Sequence, residues 1–175
     1  IPLFIDGARM GYGLASEGCD VTIKDIARLA DVFYIGGTKQ GALFGEAVVI
    51  TNDSLKKDFR YFIKQNGGML AKGRLLGIQF LALFEDGLYF SLSEHAVSLA
   101  HKLRAALKAK GYAFLVESPG NQQFPILGNE LVKALSSEFG FSVWKKVDES
   151  HTAVRFCTSW ATTPDAVDKL IEALP

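Results

Sequence analysis

Short apolar runs and helical stripes succeed one another along the chain. Leu3–Ile5 is an apolar run closed by Asp-Gly and reads as a buried strand. From Val21 to Ala30, Ile23, Ile26, Ala27 and Ala30 fall on one helical face, and Thr22 with Asp25 has the spacing of a capping box. Val32–Ile35 reads as a second strand, running into the glycine-rich loop GGTKQGALFG, and Ala47–Ile50 as a third. Residues 54–110 then read as helices. Ser54–Gln65 follows the cap residues Asn52 and Asp53, and Lys72–Phe84 carries Leu75, Leu76, Gln79, Phe80 and Leu83 at helical spacing. A longer helix from Ser93 to Lys110 stops at Gly111, and Asp86-Gly87 separates it from the one before. Beyond it, Tyr112–Val116, Phe124–Leu127, Ser142–Val147 and Ala153–Thr158 read as strands, and Leu131–Phe139 and Pro164–Leu174 as helices.

This order constrains the topology. A strand, a helix and a strand over residues 3–35 make a βαβ unit, so the first two strands are expected parallel and to end at the same sheet edge. Asp6 and the Gly36–Lys39 loop are thereby placed together at the carboxyl edge, where open α/β sheets bind ligands. The loop from Gly36 to Glu46 is too short for a helical crossover, so the third strand should return antiparallel. The fold class expected is α/β with a mixed, mostly parallel sheet over residues 1–85, a connecting helix over 86–110, and a small α+β domain over 111–175.

Composition changes this picture little. The 175 residues hold 19 Lys and Arg against 19 Asp and Glu, with 49% apolar residues, which excludes a disordered chain and argues against a basic nucleic-acid module. The charge is uneven, because residues 54–110 hold ten Lys and Arg against four Asp and Glu. A solvated helical face or a surface for an acidic partner both fit that excess. No apolar run reaches the length of a membrane span and there is no basic-then-apolar leader, so no membrane partner and a cytoplasmic location are expected. Cys19 and Cys157 fit neither a metal knuckle nor a disulfide framework, and His95, His101 and His151 form no ligand pair, so no metal is expected. The chain opens inside an apolar run without Met, as a cut through a domain would.

Asp6, Arg9 and Lys39 are the charged groups near the inferred edge. Lys39 stands among small residues in GGTKQG; it reads either as a solvent-facing loop lysine or as an amine in a low-dielectric site, able to attack a carbonyl. Asp6 reads as a turn residue or as a carboxylate facing a cationic ring nitrogen or a metal. Arg9 could pair with Asp6 or hold an anion through its planar fork.

Taken together, LFIDGARMGYGLAS and DVFYIGGTKQGALFGEAVVI resemble the low-specificity L-threonine aldolase and β-eliminating lyase family, pyridoxal-phosphate enzymes of the aspartate-aminotransferase fold. The resemblance implies the C-terminal part of a pyridoxal-phosphate-dependent transferase-like large domain followed by the small domain. It makes Lys39 the residue that condenses with the cofactor aldehyde, sets Asp6 against the ring nitrogen, and puts Arg9 and Thr38 beside the cofactor. Arg9, and Arg155 in AVRFCTSW, would hold the substrate carboxylate. In GGMLAKGRLLG the family's Gly-Gly-Met-Arg order is not kept, because Leu70 takes the arginine's place. The activity implied is cleavage of L-threonine or L-allo-threonine to glycine and an aldehyde. A β-eliminating lyase, an aminotransferase or a non-catalytic fragment are the alternatives. The resemblance further implies a missing N-terminal half that carries the phosphate-binding and ring-stacking residues, a homodimer or homotetramer, and no activity from the 175 residues alone.

Overall fold

The computed structural model describes every residue, Ile1–Pro175, and divides the chain into two compact units. The first comprises Ile1–Leu14 and Cys19–Ser91, the second Ala15–Gly18 and Leu92–Pro175.

The first unit holds β1 (Phe4–Ile5), α1 (Met10–Leu14), α2 (Ile23–Leu29), β2 (Val32–Gly36) and β3 (Glu46–Ile50). The sheet order is β1-β2-β3. β1 runs parallel to β2 with Ile5 opposite Phe33, and β2 runs antiparallel to β3 with Gly36 opposite Glu46, as the connection lengths require. One of the two pairings is thus parallel. α2 starts in the expected capping box: the Thr22 hydroxyl accepts the Asp25 N–H at 3.2 Å, and the Asp25 carboxylate accepts the Thr22 N–H at 2.9 Å. The sequence pattern does not announce α1, because Gly11 and Gly13 are poor helix formers. Burial of Met10 and Tyr12 holds it in place.

The helix expected over 54–65 is broken. A 3₁₀ turn at Asp53–Leu55, capped by the Asn52 side chain, precedes α3 (Phe59–Gln65), and Asp58 between them has φ of 59°. Next come α4 (Arg74–Phe84) and α5 (Leu88–Ala109), which starts five residues earlier than its periodicity suggests. Within Arg74–Ala109 an 18-residue window has a mean hydropathy of 1.3, enough by length and composition alone to cross a membrane, although no uninterrupted apolar run is that long. It is not one rod: Asp86, with φ of 51°, and Gly87, with φ of 72°, turn the chain between α4 and α5.

In the second unit, α5 ends on Gly111 in the left-handed conformation. The Tyr112 N–H reaches Leu107 O and the Gly111 N–H reaches Lys108 O, each at 3.0 Å, the paired bonds of a Schellman cap. Then follow β4 (Gln122–Gln123), β5 (Ile126–Gly128), α6 (Asn129–Leu135), β6 (Ser142–Lys146), β7 (His151–Cys157) and α7 (Pro164–Ala173). All three shorter strands pair antiparallel with β7. The strand expected over 112–116 is absent; only an isolated bridge joins Phe114 and Pro125. Pro125 also explains why the run around it forms two short strands, since it has no N–H for the ladder. The core gathers Leu99, Leu103 and Leu107 of α5 with Leu127, Leu135, Val154, Phe156, Val167 and Leu170.

Candidate functional site

Two glycines let the carboxyl ends of β1 and β2 touch. The Gly36 N–H donates to Gly7 O at 2.9 Å. A Cβ on Gly7 would stand 1.7 Å from Tyr34 O, and one on Gly36 would stand 2.6 Å from Ala8 O. Only hydrogen fits at either position. The turn carrying Asp6 and Arg9 is therefore pressed against the strand that leads to Lys39.

The loop bearing Lys39 is pinned from several sides. The Glu46 carboxylate accepts the Gly37 N–H at 2.9 Å and the Thr38 hydroxyl at 3.4 Å. The Gln40 and Ala42 N–H groups both return to Gly37 O. Buried Tyr12 donates its hydroxyl to Lys39 O. Further along, Gln79 of α4 accepts the Leu43 N–H at 2.6 Å and donates to Phe44 O at 3.3 Å. The backbone is held, yet the Lys39 and Thr38 side chains are exposed. Of the two readings of Lys39, this chain shows the solvent-facing one, although Gly37, Gln40 and Ala42 of the same loop are buried.

Asp6 is exposed at the end of β1. Its Oδ1 accepts the Tyr34 hydroxyl and, at 3.0 Å, the Ala8 N–H. These two bonds hold the carboxyl below the usual carboxylate range, helped by the Lys39 and Arg9 charges nearby. The same bond, with desolvation, pushes the Tyr34 phenol up to about 12. Half-buried Arg9 and exposed Lys39 enter none of the molecule's ion pairs. A site of one ionised carboxylate and two unpaired cations results.

Arg155 belongs to the second unit, on β7. It has no carboxylate partner either. Its guanidinium lies 5.0 Å from the centroid of the Trp144 ring and reaches only neutral oxygens, Gln122 Oε1 at 3.4 Å and Ser142 Oγ at 3.3 Å. Its Nε is buried without a hydrogen-bond partner. Such a group suits an anion that completes its hydrogen bonding. A cleft of about 500 Å³ in the second unit, walled by Val132, Phe139 and Phe141, contains none of the expected site residues.

No family model matches the chain. A low-specificity L-threonine aldolase of Pseudomonas aeruginosa is 31% identical over 170 residues, an alignment covering 96% of this chain and 48% of that protein. The solved threonine aldolase of Leishmania major superposes with a TM-score of 0.97 at 44% identity, over 99% of this chain and 51% of that one. The chain matches the C-terminal half of the low-specificity L-threonine aldolases. It spans about half the length of the curated relatives it matches. A serine palmitoyltransferase of Sphingomonas wittichii, 11% identical with a TM-score of 0.63, shares the fold alone, that of the pyridoxal-phosphate-dependent transferases.

The sequence motifs did not single out Tyr12, Tyr34, Glu46 or Tyr89. Tyr34 had a legible signal. With Ile5 opposite Phe33 in a parallel pair, Asp6 falls beside Tyr34 one step further on. Glu46 lies opposite Gly36 by the same logic. Tyr12 and Tyr89 had no such signal, because their partners are backbone groups distant in sequence.

Proposed function

We propose that the protein carrying this chain is a pyridoxal-phosphate-dependent lyase that cleaves L-threonine, L-allo-threonine and related β-hydroxy-α-amino acids to glycine and an aldehyde. The observation that carries the proposal is the grouping of an ionised carboxylate, Asp6, with two unpaired cations, Lys39 and Arg9, where β1 and β2 end. That donor set fits the cofactor: a carboxylate for a cationic ring nitrogen, a free amine for an aldehyde, and a guanidinium for an anion. When bound, pyridoxal phosphate supplies an electron sink for the carbon that loses its bond.

Each residue of the chain then has a task. Lys39 offers its amine from a loop whose backbone Tyr12 and Glu46 hold still. Asp6 would stand against the ring nitrogen, its low pKa keeping it charged across the working range. Thr38 would help place the cofactor. Arg9, and separately Arg155, would bind the substrate carboxylate through the guanidinium fork. Fixing that carboxylate sets the angle at which the Cα–Cβ bond is held, and a base would take the β-hydroxyl proton as that bond breaks. Residues for the phosphate and for stacking on the ring belong, on this reading, to an N-terminal half, in a homodimer or homotetramer. The 175 residues by themselves should not turn over threonine.

The test is borohydride reduction of the full-length protein with pyridoxal phosphate, followed by peptide mass mapping and an aldehyde assay with L-threonine. A reduced adduct on Lys39 and release of acetaldehyde are expected, and Lys39→Ala should abolish both. An adduct on Lys39 with 2-oxobutyrate and ammonia as products from L-threonine would replace aldol cleavage by elimination, and loss of threonine only when a keto-acid acceptor is added, with the matching amino acid formed, would replace it by amino transfer. An unmodified Lys39 in the full-length protein would overturn the cofactor assignment.

A further inference from the structure

We propose that Tyr34 is the positioning residue of Asp6: its hydroxyl fixes one carboxylate oxygen and leaves the other free for the cationic ring nitrogen of the cofactor. The inference rests on the cofactor reading above.

An exposed carboxylate at the end of a two-residue strand would ordinarily rotate freely. Asp6 has two donors, the Tyr34 hydroxyl and the Ala8 N–H, and both bond to Oδ1. No donor of the chain reaches Oδ2. The carboxylate plane is therefore set by the protein while half of its accepting capacity stays available.

Tyr34 is well built for such a role. It sits mid-way along β2, the central strand, which β1 and β3 flank on either side. Its ring is half-buried and packs against Phe4, with centroids 6.0 Å apart. Its backbone carbonyl lies hard against Gly7, so hydroxyl donor and acceptor turn are braced by the same close approach. The donor is also neutral. A lysine or arginine in this place would hold Asp6 equally well but would cancel the charge that a pyridinium requires. A phenol orients the carboxylate and leaves its charge intact. The shared proton stays on the phenol, whose pKa rises to about 12 while that of Asp6 falls.

Three variants of the full-length protein test this: Tyr34→Phe, Asp6→Asn as the site control, and Phe4→Leu as the packing control. Tyr34→Phe should weaken pyridoxal phosphate binding, read from its visible absorbance, about tenfold, the scale of one hydrogen bond to a charged group. It should also move the pH midpoint of that absorbance upward, because a ring less firmly protonated withdraws less charge from the Lys39 nitrogen. Phe4→Leu should lower the melting temperature and leave both affinity and midpoint unchanged. An unchanged affinity and midpoint in Tyr34→Phe, with both altered in Asp6→Asn, would overturn the role of Tyr34 and leave the cofactor reading standing. A wild-type protein that binds no cofactor at Lys39 would overturn the cofactor reading, and the positioning role with it. A readout without cofactor completes the set. In the apoprotein, followed by NMR with ring-labelled tyrosine, Asp6→Asn should bring the Tyr34 titration down from about 12 toward the ordinary 10. A titration that does not move would show that the two groups are not bonded, and the proposal would fall.

Discussion

Tyr89 illustrates what one buried hydroxyl can hold. Fully enclosed near the start of α5, it accepts the Gly11 N–H at 3.2 Å and donates to Gly36 O at 3.1 Å. It thus ties the first turn of α1, next to Arg9, to the last residue of β2, and burial pushes its phenol pKa up. Tyr89→Phe would keep the ring, stacked on Phe84 with centroids 5.1 Å apart, and remove both bonds. The stranded Gly11 N–H makes the expected cost about 1–3 kcal/mol, measurable in urea unfolding. An unchanged unfolding midpoint would mean that both backbone groups find other partners. Nothing in the local sequence marks this residue, since these backbone partners lie 78 and 53 positions away.

Among the elements, the hairpin of β6 and β7 shows how a turn acquires its own pH dependence. Asp148 Oδ1 accepts the Ser150 N–H at 2.7 Å and the His151 N–H at 2.8 Å. The Ser150 bond is the chief cause that brings its pKa down from 3.8 to about 2. A carboxylate whose pKa is lower folded than unfolded stabilises the fold in its charged form. That contribution is complete above pH 3.8 and is lost as the pH falls through about 2. Asp148→Asn should therefore melt below the wild type at neutral pH, with the gap closing as the pH is lowered through that window. A gap independent of pH would show that the carboxylate's charge is not involved. Pro125 acts on a neighbouring element in a simpler way, separating β4 from β5 because it cannot donate to the ladder.

On the scale of the whole molecule, each unit has its own sheet, and the second has a clear core. Leu103, 1% exposed, sits in the middle of that core on α5. Leu103→Ala should cost the second unit about 2–5 kcal/mol. Hydrogen exchange followed by mass spectrometry would locate the effect. Amides of β5, α6 and β7 should exchange faster, while those of β2 and β3 keep their rates. Equal acceleration in both units would show that they open as one cooperative body.

Local pattern and connection length suffice for much of this. They determine a βαβ unit with an antiparallel return, the capped α2, the stop of α5 at Gly111 and the sharing of one sheet edge by Asp6 and Lys39. These follow from short-range periodicity, capping and the reach of a loop, which are properties of neighbouring residues. The motifs IDGAR and GGTK were legible for the same reason. Only the tertiary structure decided that Asp58 would interrupt an apparently continuous helix, that residues 112–116 would find no full strand partner, and that Lys39 would stand exposed. It alone decided the roles of the Tyr12 and Tyr89 hydroxyls. Tyr34, Tyr12 and Tyr89 reach groups 27 to 78 positions away, across contacts that exist only once Gly7 and Gly36 allow two backbones to meet. Such bonds depend on register and close approach in space; the Tyr34 bond follows from the parallel pairing of β1 with β2, and no pattern along the chain encodes the other two.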